Sequence, residues 1–237
     1  MRISGQELDS SEITRRMARI LSVENLSKRF LDGNQERVVL DDISFVVDSG
    51  KALAVCGPSG CGKSTLLNLI AGILEPDIGR VVLNVGSDEI DYASLSVSEK
   101  TQIRRKHLGY VFQFFNLVPT LTVRENVLLP LELNGYEHLA KASLDRLAAL
   151  GLADREDDFP ESLSAGERQR TAIARALAHE PVLVLADEPT GNLDAGNAET
   201  VAQLLWREVH ALGGGLVIAT HNESIASMAD QVLRLNR

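Results

Sequence analysis

Residues Gly57-Pro58-Ser59-Gly60-Cys61-Gly62-Lys63-Ser64-Thr65 follow the pattern G-x-x-x-x-G-K-[ST], whose residue types suit the cradling of a phosphate chain. Gly57, Gly60 and Gly62 let the backbone turn tightly, so that successive N–H groups and the positive end of the following helix converge on phosphate oxygens. Lys63 supplies a point charge for the β- and γ-phosphates. The Ser64 hydroxyl suits Mg²⁺, which takes oxygen ligands in an octahedron and keeps several waters. Thr65 is expected at another phosphate. The plain alternative is a glycine-rich turn with an exposed lysine, and the flanks argue against it: residues 52–56 read as a strand leading in and 66–71 as a helix leading out. The chain is therefore expected to bind a nucleoside triphosphate, ATP, with Mg²⁺.

A second pair of residues suits the same chemistry. The apolar run 182–186 ends in Asp187-Glu188, and a nucleotide-binding sheet carries its acidic residues at the carboxyl edge of the strands, beside the phosphate loop. Asp187 would hold the metal through water. Glu188 would polarise the water that attacks the γ-phosphate. Such a pair can instead cap a helix or meet an arginine; the phosphate loop upstream favours the catalytic reading.

The elements that position these groups follow from the apolar pattern. Residues 20–30, 38–47 and 52–56 read as strands, separated by a polar loop at 32–36 and the turn Asp48-Ser49-Gly50. Residues 80–85 form another strand, and Ser96 with Glu99 predicts a capped helix through about Lys106. A short strand at 108–112 ends at Gln113. Two helical segments fill 122–150, broken at Asn134-Gly135, as a lobe inserted into the core. A helix over 165–178 stops before Pro181, the buried strand 182–186 follows, and a helix to Leu212 precedes the strand 216–220. Continuous apolar strands alternating with helices predict an α/β fold with a parallel sheet covered on both faces. Residues 1–18, mixed in charge and without period, read as a loose arm.

Composition narrows the function class. A chain of 237 residues with 44% hydrophobic and 24% charged residues can bury one sizeable core. No apolar stretch approaches the roughly 20 residues that span a bilayer, and the start lacks a secretory apolar region, so a cytoplasmic protein is expected. A net charge of −9 argues against a nucleic-acid partner. Cys56 and Cys61 flank the phosphate loop and read as packing residues rather than a disulfide.

The segment Leu163-Ser164-Ala165-Gly166-Glu167-Arg168-Gln169-Arg170 resembles the signature motif of ATP-binding cassette proteins, L-S-G-G-Q or L-S-G-G-E followed by x-Q-R, with Ala165 in place of the first paired glycine. The resemblance covers the chain from about residue 19 to 237. It implies a P-loop NTPase core with a mainly parallel sheet, an antiparallel β subdomain, and an inserted helical subdomain at about 114–163. Within it, Phe30 matches the aromatic that stacks on adenine, Gln113 the glutamine joining core and lobe, and His221 the switch histidine. Residues 191–194, ending at Asp194, match the segment that crosses between protomers.

The resemblance also implies a mechanism. In a head-to-tail homodimer each ATP is held by Lys63 and Ser64 of one protomer and by Ser164 and Gly166 of the other, with Ala165 and Glu167 in the same turn. Gln113 and His221 sense phosphate and metal, Gln113 joining Ser64 and Asp187 in the metal set. Phe114, Phe115, Leu117 and Val118, next to Gln113, are the expected contact with an integral membrane permease, which would hold the chain at the inner face of the membrane; the plain alternative for them is ordinary packing within the lobe. Residues 112–122 and 186–194 look most like the ATPase subunits of bacterial lipoprotein-release, macrolide-export and related mechanotransmission systems, with the cell-division ATPase as a relative. Two other classes remain: an ATPase of the same family uncoupled from transport, which the single cassette and acidic balance disfavour, and a small-molecule kinase, which the signature segment disfavours.

Overall fold

Uninterrupted apolar runs become strands only where both faces of a sheet are covered, and three of them form the centre of this computed structural model. The structure describes residues 19–33 and 35–236, so the arm expected over 1–18 lies outside the described residues. Strands β3 (Ala52–Cys56), β7 (Leu183–Asp187) and β8 (Gly215–Thr220) join β6 (Leu108–Val111) and β9 (Gln231–Arg234) in a parallel sheet of order β6-β7-β8-β3-β9. Alternation divides their side chains between two cores. Ala54, Cys56, Ala186 and Ile218 face one, Leu53, Val55, Leu185 and Val217 the other.

Helices α5 (Ala165–Leu177) and α6 (Ala195–Ala211) fill the first core, with side chains of α3 (Val123–Asn134) and α4 (Ala140–Ala149). Helix α1 (Lys63–Ile70) and a second sheet fill the other. That second sheet is antiparallel, of order β2-β1-β4-β5, from β1 (Arg19–Asp32), β2 (Gln35–Asp48), β4 (Ile78–Val85) and β5 (Asp88–Asp91). Each fully buried Leu or Ile contributes roughly 2 kcal/mol, so the two cores dominate the stability.

The polar loop expected over 32–36 is instead the tip of a hairpin. Asp32 pairs with Gln35, and Gly33 takes the positive φ of 62° that the turn needs. Gln35 and Glu36 are strand residues exposed to water, so their composition mimicked a loop. Consequently the first two strands lie in a different sheet from β3.

Three helix starts carry capping boxes: Ser96 with Glu99 before α2 (Val97–His107), Thr122 with Glu125 before α3, and Ser164 with Glu167 before α5. Helix α3 ends at Gly135, φ 69°. Strands β5 and β9 and the short helix α7 (Glu223–Ala226) were not expected, being too brief to show a period. No helix among the described residues is long and apolar enough to cross a membrane.

Candidate functional site

The turn between β3 and α1 is set by close approaches that only glycine permits. A Cβ at Gly57 would lie 2.5 Å from the Leu235 carbonyl oxygen and 2.6 Å from Cys61 Sγ, and one at Gly62, φ 105°, would lie 2.9 Å from Val39 Cγ1. The loop is thus clamped between β2 and the chain after β9, where the Leu235 N–H donates to the Cys56 carbonyl over 2.7 Å. Gly62 is the N-cap of α1 and brings no side-chain cap, which leaves the first N–H groups of the helix available to an anion. Lys63, only 7% exposed, donates to the carbonyls of Gly57 (2.8 Å) and Pro58 (3.2 Å) and lies 3.3 Å from Glu188 Oε1.

At the end of β7 the two acidic residues have different surroundings. Asp187 Oδ1 is buried and has no hydrogen-bond partner. Burial pushes the Asp187 carboxyl above its usual range, the Ser64 hydroxyl beside it pulls the other way, and the neighbouring Glu188 adds to the rise. An orphaned carboxylate oxygen next to a hydroxyl fits a hard cation, and no cluster of three metal-ligating side chains exists among the described residues. That donor set suits Mg²⁺, which binds through one or two carboxylates together with substrate phosphates. Glu188 sits at φ 45°, a left-handed conformation held by its N–H donating to the Ala219 carbonyl over 2.9 Å. Its Oε2 accepts from His221 Nδ1 at 2.8 Å and from the His221 N–H at 3.4 Å. One carboxylate therefore bridges the phosphate-loop lysine and the histidine.

These groups open onto a cleft of about 550 Å³. The structure brings Phe30, Gln113 and Glu188 to its walls together with Ser59, Gly60, Gly62, Lys63, Ser64 and Thr65. Phe30, 40% exposed, presents its ring at the rim, where it can stack on a base. Pro58 and His221 border an adjoining depression with Gly57. The Gln113 carbonyl accepts from Asn192 Nδ2 at 2.6 Å, which ties the 191–194 segment to the cleft.

Ser164, Ala165, Gly166, Glu167 and Asp194 do not line this cleft. Ser164 caps α5: its Oγ donates to Glu167 Oε2 over 2.6 Å and accepts from the Glu167 N–H at 3.3 Å. That hydroxyl holds the Glu167 carboxyl below its usual range. Asp194 caps α6 by accepting from the Asn197 N–H at 3.1 Å, which holds its own carboxyl low.

Beyond Gln113 the chain makes a second unusual turn, with Phe115 at φ 59° and Asn116 at φ 50°. Arg175 of α5 donates to the carbonyls of Phe115 (2.9 Å) and Asn116 (2.6 Å), and the Arg168 guanidinium lies 5.4 Å from the Phe115 ring centroid. The helix that begins at Ser164 thus holds the loop that begins at Gln113. Phe114 stays 70% exposed, whereas Phe115, Leu117 and Val118 are half-buried. Sequence reasoning missed Arg168 and Arg175 as loop anchors, and Leu31, Arg37 and Val39 on the cleft. The signal for Arg37 was the hairpin register, visible only once the turn at Gly33 is placed.

The family described as ABC transporter matches residues 40–191. An uncharacterized ABC transporter ATP-binding protein of Mycobacterium tuberculosis is 47% identical over 223 residues, covering 91% of this chain and 86% of its own length. The lipoprotein-releasing system ATP-binding protein LolD of Colwellia psychrerythraea is 41% identical over 221 residues, 92% of this chain and 84% of that one. Among solved structures, the dimeric post-hydrolysis state of the ATP-binding cassette MJ0796, bound to ADP and Pi, superposes with a TM-score of 0.78. It shares 34% identity over 92% of this chain and 94% of the other.

Proposed function

The chain belongs to the ABC transporter family and is an ATPase, and we propose that it works as a head-to-tail homodimer that drives an integral membrane subunit. The observation that carries this reading is the separation of two half-sites. The cleft holds the phosphate loop, Glu188 and Gln113, while Ser164 and Gly166 lie outside its lining at the N-terminus of α5, a place suited to a second phosphate contact. A second copy turned head to tail supplies what one copy lacks, and the dimeric MJ0796 cassette supports that arrangement.

In the closed site Lys63 and the loop N–H groups bind the β- and γ-phosphates, and Phe30 carries the adenine. Ser64 and Asp187 would hold Mg²⁺, with Gln113 beside them. When bound, the metal neutralises phosphate charge and orients the terminal phosphoryl group. Glu188, oriented by His221, takes the proton of the attacking water as that water adds to the γ-phosphorus and the bond to ADP breaks. Closure dries the cleft and strengthens each of these contacts. Product charge then opens the dimer.

The membrane subunit docks on the turn after Gln113. Phe114, 70% exposed beside a loop pinned to α5, is the apolar side chain left free for it. Half-buried Leu117 and Val118 contribute their outer edges. This docking places the chain at the cytoplasmic face of the membrane. Similarity to LolD supports a role in lipoprotein release or export.

The test is purification from detergent-solubilised membranes, identification of the integral protein that accompanies the chain, and transport by the pair in vesicles. Phe114→Ala is expected to abolish transport while phosphate release by the isolated chain stays within about 2-fold. A chain that comes away with no membrane protein, and releases phosphate at a rate no permease alters, favours the uncoupled ATPase instead.

A further inference from the structure

Three cations stand near the turn of the β1–β2 hairpin, and two of them are neutralised. Lys28 Nζ lies 2.9 Å from Asp77 Oδ1, and Arg29 lies 3.3 Å from Glu36 Oε2. Arg37 has no carboxylate within ion-pair distance among the described side chains, and its one hydrogen bond to a described side chain or backbone group runs from a terminal guanidinium nitrogen to the Gly60 carbonyl, over 3.3 Å. A guanidinium carries five donors and a permanent charge, so most of its capacity is unspent.

Register gives this charge its address. Arg37 is the direct cross-strand partner of Phe30, so both side chains leave the hairpin on one face, and both line the cleft beside Gly60 and Lys63. Phe30 marks the base end. Lys63 sits deep, held by the carbonyls of Gly57 and Pro58 and next to Glu188. The guanidinium, on the tip of the loop between those ends, covers the middle of the ligand.

We propose that Arg37 is a nucleotide-binding residue whose fork meets the α- and β-phosphates of ATP from the side opposite the loop N–H groups. It acts as a second cation beside Lys63, and planar bidentate recognition of phosphate is what a guanidinium does best. The inference rests on the placement of the nucleotide in the cleft at residues 57–65. Because the α- and β-phosphates survive hydrolysis, Arg37 grips ATP and ADP alike. It therefore sets affinity and product retention rather than the chemical step.

The experiment measures ATP and ADP dissociation constants by equilibrium dialysis at low and high KCl, for the full chain and for Arg37→Ala, Arg37→Gln and Arg37→Lys. Arg37→Gln keeps a neutral donor for the Gly60 carbonyl, so it separates loop bracing from charge. The expected result is that Ala and Gln each weaken both nucleotides about 10-fold at low salt, that the gap to the wild-type chain narrows at high salt, and that Lys recovers part of it. Full affinity in Arg37→Gln, a loss confined to ATP, or a gap that salt does not change would each overturn the proposal, the last by pointing to stacking on the base. Lys63→Ala serves as the control. Unchanged binding there refutes the cleft placement itself, whereas weakened binding there with no effect at Arg37 refutes this inference alone. Thermal melts of all variants identify any that fail to fold, and the Gln and Lys variants then decide the matter.

Discussion

His221 Nδ1 donates to Glu188 Oε2 across 2.8 Å, so the histidine that follows β8 aims the carboxylate that follows β7. A carboxylate oxygen without a proton only accepts, which places a ring proton on Nδ1. The contact crosses two adjacent parallel strands and needs the left-handed backbone of Glu188, φ 45°, to be made. His221→Ala would leave that carboxylate oriented by Lys63 alone, 3.3 Å away on the other oxygen. The expected outcome is a kcat lower by roughly 100-fold, the lower end of what a positioned acid–base group contributes. ATP affinity, measured by dialysis, should change by less than about 3-fold. A variant with wild-type kcat would remove His221 from the site.

Half-buried Asp187 lies beside Ser64 with one carboxylate oxygen, Oδ1, buried and unpartnered, an arrangement that costs stability unless a cation joins it. Asp187→Asn is therefore expected to raise the melting temperature by a few degrees in EDTA, roughly 1 kcal/mol, and to abolish the additional stabilisation that Mg²⁺ gives in the presence of ATP. Scanning calorimetry with and without metal reads both effects. A lower melting temperature in EDTA, or an intact Mg²⁺ increment, would count against Asp187 as the metal's carboxylate.

Asp230 anchors the start of β3, whose far end carries the phosphate loop. It accepts from Lys51 Nζ at 2.8 Å and from the Ala52 N–H at 2.9 Å, and the lysine first and the N–H second hold its carboxyl below the usual carboxylate range. A carboxyl lowered by folding contributes stability above its unfolded pKa and loses it as pH falls through the lower folded value. The wild-type melting temperature should thus drop below about pH 4 more steeply than that of Asp230→Asn. Parallel acid limbs for the two proteins would assign the drop to other carboxylates.

Local spacing made the phosphate loop legible, because its glycines, Lys63 and Ser64 lie within nine consecutive positions and act through their own backbone turn. The acidic pair was legible for a similar reason, since an uninterrupted apolar run announces a buried strand and its end marks the sheet edge. What the sequence hid depends on pairing over distance. Arg37 lies opposite Phe30 only because the chain turns at Gly33, and a polar hairpin tip has the composition of a loop. Arg168 and Arg175 read as ordinary charges on an amphipathic helix until the positive φ values of Phe115 and Asn116 turn two carbonyls toward Arg175 and the Phe115 ring lies against Arg168. Asn126, with no exposure, accepts from the Val118 N–H at 2.8 Å and donates to the Val118, Leu121 and Thr122 carbonyls. Nothing in its own neighbourhood of sequence marks it as the brace of that loop.

The most direct measurement is the mass of Glu188→Gln by sedimentation equilibrium, with and without Mg²⁺ and ATP. Glutamine keeps the shape of the carboxylate and a contact to His221 but cannot take the water's proton, so ATP is bound and not consumed. One chain per particle is expected without nucleotide and two with it, together with phosphate release at least about 100-fold below wild type and loss of the dimer when Ser164→Arg is added. A particle of one chain under all conditions, or wild-type phosphate release by Glu188→Gln, would rule out the shared two-chain site.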